Sequence, residues 1–268
     1  MIVCFDIGGS AIKGAVAHAA DRIEPLERRV TPLDDFTAFV TTLRDIIAEA
    51  GGKPDRIAIS ITGVVDPETQ AIKCANIPCI DGRKLGAELS GLLGLPVLIA
   101  NDADCFALAE AGAGAGRGYR IVLGAILGTG VGGGLVVDGR LINAEGGFAG
   151  EWGHGPAVAS MAGTPPVAIP VFDCGCGQRG CVDTIGGARG MERLHLTLHG
   201  KSLESHEITA LWQSGDAEAA RTIDVLVDLI SSPLALTVNI TGATIVPIGG
   251  GLSNVTPLIA EIDKAVRG

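Results

Sequence analysis

A chain of 268 residues, 47% of them hydrophobic, carries enough apolar material for one large domain or for two lobes around a cleft, which excludes a disordered protein. Its 30 acids against 20 bases leave a net charge of −10, the wrong sign for counterion-releasing contacts with nucleic acid, so an anionic ligand must be met by local donors. Forty glycines, about twice the average share, point to backbone brought close to ligands.

The opening Met1-Ile2-Val3-Cys4-Phe5-Asp6 has no basic segment and places an acid where a secretory signal is apolar. Residues 2–7 form an apolar run that meets the turn-former Gly8-Gly9-Ser10, and residues 12–17 resume it: a strand, a tight turn and a returning strand. Successive amides in such a turn make an anion-binding concavity, and Asp6 can hold a magnesium ion against the same phosphates, directly or through water. The plain alternative is an ordinary hairpin with a solvated carboxylate. Phe36, Phe39, Val40, Leu43, Ile46 and Ile47 follow helical spacing after the cap signal Asp34-Asp35. Residues 57–61 and 97–100 read as buried strands ending in Thr62-Gly63 and Asn101-Asp102, and ligands of open α/β sheets sit at strand ends. A helix is predicted from Asp102 to residue 111, so Asp102 can serve as a helix cap, a catalytic base or both.

The plan of the first hairpin recurs. Residues 121–127 are apolar, Gly128-Thr129-Gly130-Val131-Gly132-Gly133-Gly134 turns, and residues 135–137 resume the strand before Asp138-Gly139. Two such units, about 120 residues apart, predict two lobes, 1–115 and 116–268, each opening with a glycine hairpin. The run 121–137 is interrupted by glycines and too short to span a membrane. Gly128, Gly130 and Gly133 satisfy the dinucleotide fingerprint, but that fingerprint needs a helix next and the chain continues as a strand. Without a Walker sequence either, a nucleoside triphosphate must be held between hairpins, with Thr129 adding a hydroxyl.

Cys174-Gly175-Cys176-Gly177-Gln178-Arg179-Gly180-Cys181 puts three thiols in eight residues, with glycines that let the backbone fold round an ion. With His154, the nearest upstream imidazole, these residues fit a closed, structural Cys3His zinc site, not a catalytic one with an open position. Cysteines used this way, in a chain without a signal sequence, place the protein in the reducing cytoplasm. Glu151 and His154, with Asn101 and Asp102, supply the groups that bind sugar hydroxyls in pairs. Further on, Ile223, Leu226, Val227, Ile230, Leu234 and Val238 form an apolar helical stripe, followed by a strand over 244–248 and the turn Gly249-Gly250-Gly251.

Taken in order from residue 1 to about 260, the first hairpin, Asn101-Asp102, the second hairpin, Gly150-Glu151-Trp152-Gly153-His154, the cysteine cluster and Gly249-Gly250-Gly251-Leu252-Ser253-Asn254 resemble the ROK sugar kinases. Stretches 101–108, 174–178 and 210–216 look closest to bacterial N-acetylglucosamine kinases. The resemblance implies an α/β, actin-like (ribonuclease H-like) ATPase fold of two lobes, with Mg2+-ATP between the hairpins and sugar deep in the cleft. It implies phosphorylation of a hexose at the 6-hydroxyl, with N-acetylglucosamine as substrate and N-acetylmannosamine or glucose as alternatives. Asp102 then matches the base, and Asn76, Asn101, Glu151, His154 and Asp183 match positions that hold sugar hydroxyls. His154 binds zinc through one ring nitrogen and sugar through the other. Asp6, Gly8, Gly9, Ser10, Gly128, Thr129, Gly130, Gly132 and Gly133 match the phosphate-binding hairpins, Gly250 and Gly251 the glycines near the adenosine, and a homodimer is expected.

The chain departs from the pattern at three places. Asp183 stands where the family usually has Glu, one methylene longer, two residues after the last zinc cysteine. Ala11 stands where Lys or Asn often follows the small hydroxyl residue. The sequence stops at Gly268, short of the final helical segment expected to return to the first lobe, so either it is trimmed or that lobe is completed otherwise. Sugar-responsive repressors of the same family carry a helix-turn-helix ahead of the first hairpin, which here begins at residue 2, so a kinase is expected over a DNA-binding regulator.

Overall fold

The computed structural model describes residues 1–268 and divides into two compact units, Met1–Cys105 with Asn143–Phe148, and Phe106–Ile142 with Ala149–Gly268. The division falls inside the helix that follows Asn101, ahead of the residue-115 boundary read from the sequence.

In the first unit, β1 (Ile2–Ile7) pairs antiparallel with β2 (Ala11–Ala19) and parallel with β3 (Arg56–Ile61), which pairs parallel with β4 (Val97–Asn101). Short strands Arg22–Pro25 and Arg29–Val30 extend the sheet beyond β2. The alternation of β1 buries Val3, Phe5 and Ile7, and Ile57, Ile59 and Ile61 of β3 are likewise buried. Against them packs α1 (Phe36–Glu49), whose buried face is Phe39, Val40, Leu43 and Ile46, as the helical spacing predicts. Its start is fixed by Asp35, whose carboxylate accepts from the Ala38 amide at 3.0 Å, a cap that contributes about 1 kcal/mol. A second helix, α2 (Leu85–Leu93), adds Leu85 and Leu89 to this core and ends at Gly94, in the left-handed region at φ 68°.

The second unit begins within α3 (Asp102–Ala113) and carries β5 (Ile121–Leu127) paired antiparallel with β6 (Val131–Val137), with β7 (Ile248–Gly249) parallel to β5. Two expectations are corrected here. The second hairpin turns at Gly128-Thr129-Gly130, and Gly132, Gly133 and Gly134 lie in β6 itself, facing Ile126, Ala125 and Gly124. Gly133 serves packing: a Cβ there would lie 2.7 Å from the Gly150 carbonyl oxygen and 2.8 Å from Trp152 Cδ1. The strand expected over 244–248 shrinks to Ile248–Gly249, preceded by an isolated bridge between Ile245 and Val122. Pro247 accepts from the Ala125 amide at 2.9 Å but has no N–H to return, which interrupts the ladder.

Four further helices cover this sheet: α4 (Asp183–Gly186), α5 (Ala188–His199), α6 (Ser205–Gln213) and α7 (Ala217–Thr241), with α8 (Thr256–Arg267) closing the chain. Helix α7 is long and apolar enough by composition to cross a membrane. Its inner face, Ile223, Leu226, Leu229, Ile230 and Leu234, is the centre of the second unit's core, as in an apolar core helix. Asp216 caps it by accepting from the Ala219 amide at 2.8 Å, and Gly242 ends it at φ 69°.

Although it follows β6 in sequence, Asn143–Phe148 belongs to the first unit. The Gly147 amide donates to the Val65 carbonyl at 2.9 Å, Gln70 Nε2 donates to the Glu145 carbonyl at 2.9 Å, and Asn143 Nδ2 donates to both oxygens of Asp104 at 3.2 and 3.1 Å. Burial pushes the Asp104 carboxyl up to about 6, against the opposing effect of the Asn143 bonds and with a smaller contribution from the charge on Asp102. A folded-state pKa above the unfolded value means stability that is full below about pH 4 and is lost as pH rises through about 6. Relative to Asp104→Asn, the wild type is expected to lose about 2 kcal/mol between pH 4.5 and pH 8, measured by urea unfolding at each pH. A difference that does not change with pH would contradict this.

Candidate active site

In the first unit, the parallel register sets Ile7, Ile61 and Asn101 side by side, so the segments leaving β1, β3 and β4 emerge at one sheet edge. The turn after β1 is closed by the Gly8 amide donating to the Ala11 carbonyl at 3.1 Å and tied from outside by Thr31 Oγ1, which donates to the Gly8 carbonyl at 2.6 Å. Nothing lies within 4 Å of where a Gly8 Cβ would be, whereas a Gly9 Cβ would sit 3.2 Å from the carbonyl oxygen of Asn76. Asn76 is thereby held over the turn, its Nδ2 reaching Thr62 Oγ1 at 3.4 Å. Asp6 and Lys13, on adjacent strands, form an exposed ion pair at 2.8 Å.

Asn101 is fixed on both ends: its Nδ2 donates to the Gly63 carbonyl at 2.9 Å and its Oδ1 accepts from the Ala103 amide at 2.8 Å. Asn101 therefore caps α3, a role the sequence left to Asp102. Asp102 Oδ1 accepts from the same amide at 2.9 Å. Its side chain is open to solvent on one side, yet the surrounding protein desolvates the carboxyl enough to raise its proton affinity. The Ala103 amide partly offsets that rise and the charge on Asp6 adds to it. A carboxylate at a strand end with increased basicity is suited to accept a proton from a bound hydroxyl. Asp6, Gly8, Gly9, Ser10, Asn76, Asn101 and Asp102 all belong to this edge of the first unit.

In the second unit, the hairpin of Gly128, Thr129 and Gly130 is gripped from three directions. The amides at the start of α5 reach its carbonyls, Ala188 N to Gly128 O at 2.8 Å and Arg189 N to Thr129 O at 3.3 Å. Asp183 Oδ1 accepts from the Val131 amide at 2.8 Å. Gly250, at φ 88°, lies against Leu127 and Gly128, where a Cβ would come within 2.6 Å of the Gly128 nitrogen. Gly251 opens the short 3₁₀ turn Gly251–Asn254. Gly186-Gly187 ahead of α5 was not read as part of the site; the signal for it is a small-residue pair leading into a helix, since a Gly187 Cβ would overlap Gly130 and the Thr129 carbonyl.

His154, Cys174, Cys176 and Cys181 converge, with their ligand atoms all within 4.8 Å of one another. Cys174 Sγ lies 3.6 Å from His154 Nδ1, and Cys176 Sγ lies 3.7 Å from Cys181 Sγ. A tetrahedral zinc with bonds of about 2.3 Å to sulfur and about 2.0 Å to nitrogen gives edges of about 3.5 Å for N···S and about 3.8 Å for S···S, so these residues fit that ion. Backbone bonds build the loop: Cys174 N to Gln178 O at 2.8 Å, and Gly177 N, at φ 90°, to Cys174 O at 3.0 Å. Burial pushes the Cys174 thiol up to about 12, so its ionised form needs a cation to persist near neutral pH. The other ring nitrogen of His154 faces Glu151, Nε2 to Oε2 at 4.0 Å.

Fold and site together define an actin-like, ATP-dependent sugar kinase. The ROK family profile matches residues 2–268, and the chain belongs to that family. It is 36% identical over 265 residues to the N-acetylgalactosamine kinase AgaK of Shewanella sp. (strain ANA-3), covering 98% of this chain and 85% of that one. It is 35% identical over 267 residues to the N-acetyl-D-glucosamine kinase of Salmonella arizonae, covering 98% and 88%. Among solved structures, the ROK hexokinase from Thermus thermophilus superposes with a TM-score of 0.82 at 27% identity, over 99% of this chain and 87% of that one.

Proposed function

We propose that the protein transfers the terminal phosphoryl group of ATP to the 6-hydroxyl of an N-acetylhexosamine, N-acetylglucosamine first, with Asp102 as the base. The observation that carries this reading is Asp102 itself, a carboxylate with increased proton affinity at the strand-end edge that also bears the first glycine hairpin. The sugar oxygen bonds to phosphorus as its proton passes to Asp102, the bond from phosphorus to the bridging oxygen breaks, and ADP leaves. Phosphoryl transfer needs in-line placement and charge neutralisation more than covalent help. The amides around Gly8, Gly9 and Ser10 and around Gly128, Thr129 and Gly130 suit the phosphates, with Gly250 and Gly251 on the adenosine side. Magnesium, held on the side of Asp6, supplies charge neutralisation when bound.

Asn76, Asn101, Glu151 and His154 are the sugar-hydroxyl ligands in this reading. Asp183, expected among those ligands, has one oxygen on the hairpin amide of Val131. The cysteine–histidine cluster holds structural zinc through His154 Nδ1, which fixes the ring and presents Nε2 beside Glu151. Relatives of similar identity are named for N-acetylgalactosamine and N-acetylglucosamine, sugars that differ in configuration at C4. N-acetylmannosamine and glucose remain the alternatives. A cytoplasmic homodimer completes the reading.

Asp102→Asn is expected to lower kcat by about 10²–10⁴-fold while the sugar dissociation constant stays within about threefold, read by a coupled ADP assay and by calorimetry. Near-normal turnover would sink the base assignment. Purified wild type is expected to carry about one zinc per chain, and Cys176→Ser to lose it, by metal analysis after dialysis. Full occupancy in the variant would contradict the ligand set.

A further inference from the structure

The residue that replaces the expected glutamate after the last cysteine is turned toward the phosphate hairpin. Asp183 begins α4, and its own amide donates to the Gly153 carbonyl at 2.8 Å, next to His154. One carboxylate oxygen accepts from the Val131 amide at 2.8 Å, and the other lies 3.7 Å from Cys174 Sγ. The fit is close: a Cβ on Gly130 would overlap Asp183 Oδ1. The carbonyls on the other side of the same turn, those of Gly128 and Thr129, are taken by the amides of Ala188 and Arg189 on the helix that follows α4. One short segment, 183–189, thus meets the hairpin with an acceptor for its amide and donors for its carbonyls.

We propose that Asp183 is a positioning residue for the nucleotide, clamping the Gly128–Gly130 hairpin to the loop that carries the cysteine–histidine cluster, and is not a sugar ligand. The inference rests on the kinase reading only for what the hairpin binds. Side-chain length gives the reason. A carboxylate whose carbon is two bonds from Cα reaches from Asp183 to the Val131 amide at hydrogen-bond distance, and such charge-assisted bonds contribute more than neutral ones. With the carboxylate removed, the Val131 amide loses its acceptor and the turn keeps only the hydrogen bonds from the α5 amides on its other side.

The test is hydrogen–deuterium exchange on the ligand-free protein, followed over the peptide spanning 127–135, in the wild type, Asp183→Ala and Asp183→Asn. Exchange in that peptide is expected to speed about tenfold or more in Asp183→Ala, with the α1 peptide unchanged, and to be largely restored in Asp183→Asn, whose amide oxygen still accepts. Dissociation constants for ADP and KM values for sugar are measured alongside. ADP binding should weaken about tenfold in Asp183→Ala while the sugar KM stays within about twofold. Should Asp183→Ala fail to fold, Gly130→Ala separates the same pair from the other side and should speed exchange equally. Unchanged exchange in the hairpin, or a raised sugar KM with unchanged ADP affinity, overturns the proposal. Because the exchange arm needs no ligand, a wild type that fails to bind ADP would count against the kinase reading, while the exchange rates would still decide whether Asp183 clamps the hairpin.

Discussion

The parallel register of β1, β3 and β4 is the constraint on which the first half of the site depends. Ile7, Ile61 and Asn101 are partners across that ladder, so a turn, a loop and a helix start are delivered to one edge without any of them being rigid alone. A slip of one residue in β4 would turn Asn101 to the other face of the sheet and take Asp102 with it. The buried partners that fix the register, Val3, Phe5 and Ile7 with Ile57, Ile59 and Ile61, run from the sheet interior up to the site's edge, and they hold the geometry by leaving no other face to bury.

The second unit solves the positioning problem differently. Its hairpin is too glycine-rich to hold a shape by side-chain packing, and it is held by hydrogen bonds at its rim: Ala188 and Arg189 amides on its carbonyls, Asp183 on its amide, and Gly250 against its base. Glycine serves two purposes here. In the turn it leaves room for backbone to approach. In β6 it lets Trp152 and Gly150 lie directly on the strand, with Trp152 Nε1 donating to the Gly132 carbonyl at 2.8 Å.

Much of this was legible in the sequence because the signals are local. Helical spacing identified α1 and the core face of α7, the apolar runs identified β1, β3, β4 and β5, and the cysteine spacing with His154 identified the four residues whose ligand atoms converge. The failures were of two kinds. Gly132, Gly133 and Gly134 look like a turn in sequence, and only the neighbouring Trp152 and Gly150 explain why the strand must lack a Cβ at Gly133. The Asp183–Val131 and Asp104–Asn143 contacts join residues far apart in the chain, and no spacing rule encodes them. Asn101 caps the helix with its side chain fixed on both ends, and Asp102 shares the same Ala103 amide through one oxygen, which leaves its other oxygen for chemistry.

In the proposed reaction a sugar hydroxyl, deprotonated by Asp102, takes the terminal phosphoryl group of ATP. Phosphorus and carbon NMR of a reaction with N-acetylglucosamine and Mg2+-ATP tests it most directly. The expected result is one ADP formed per sugar consumed and a new phosphate ester whose coupling places it on carbon 6. ATP cleaved to ADP and free phosphate without sugar ester, or no nucleotide turnover with any N-acetylhexosamine or hexose, would contradict it.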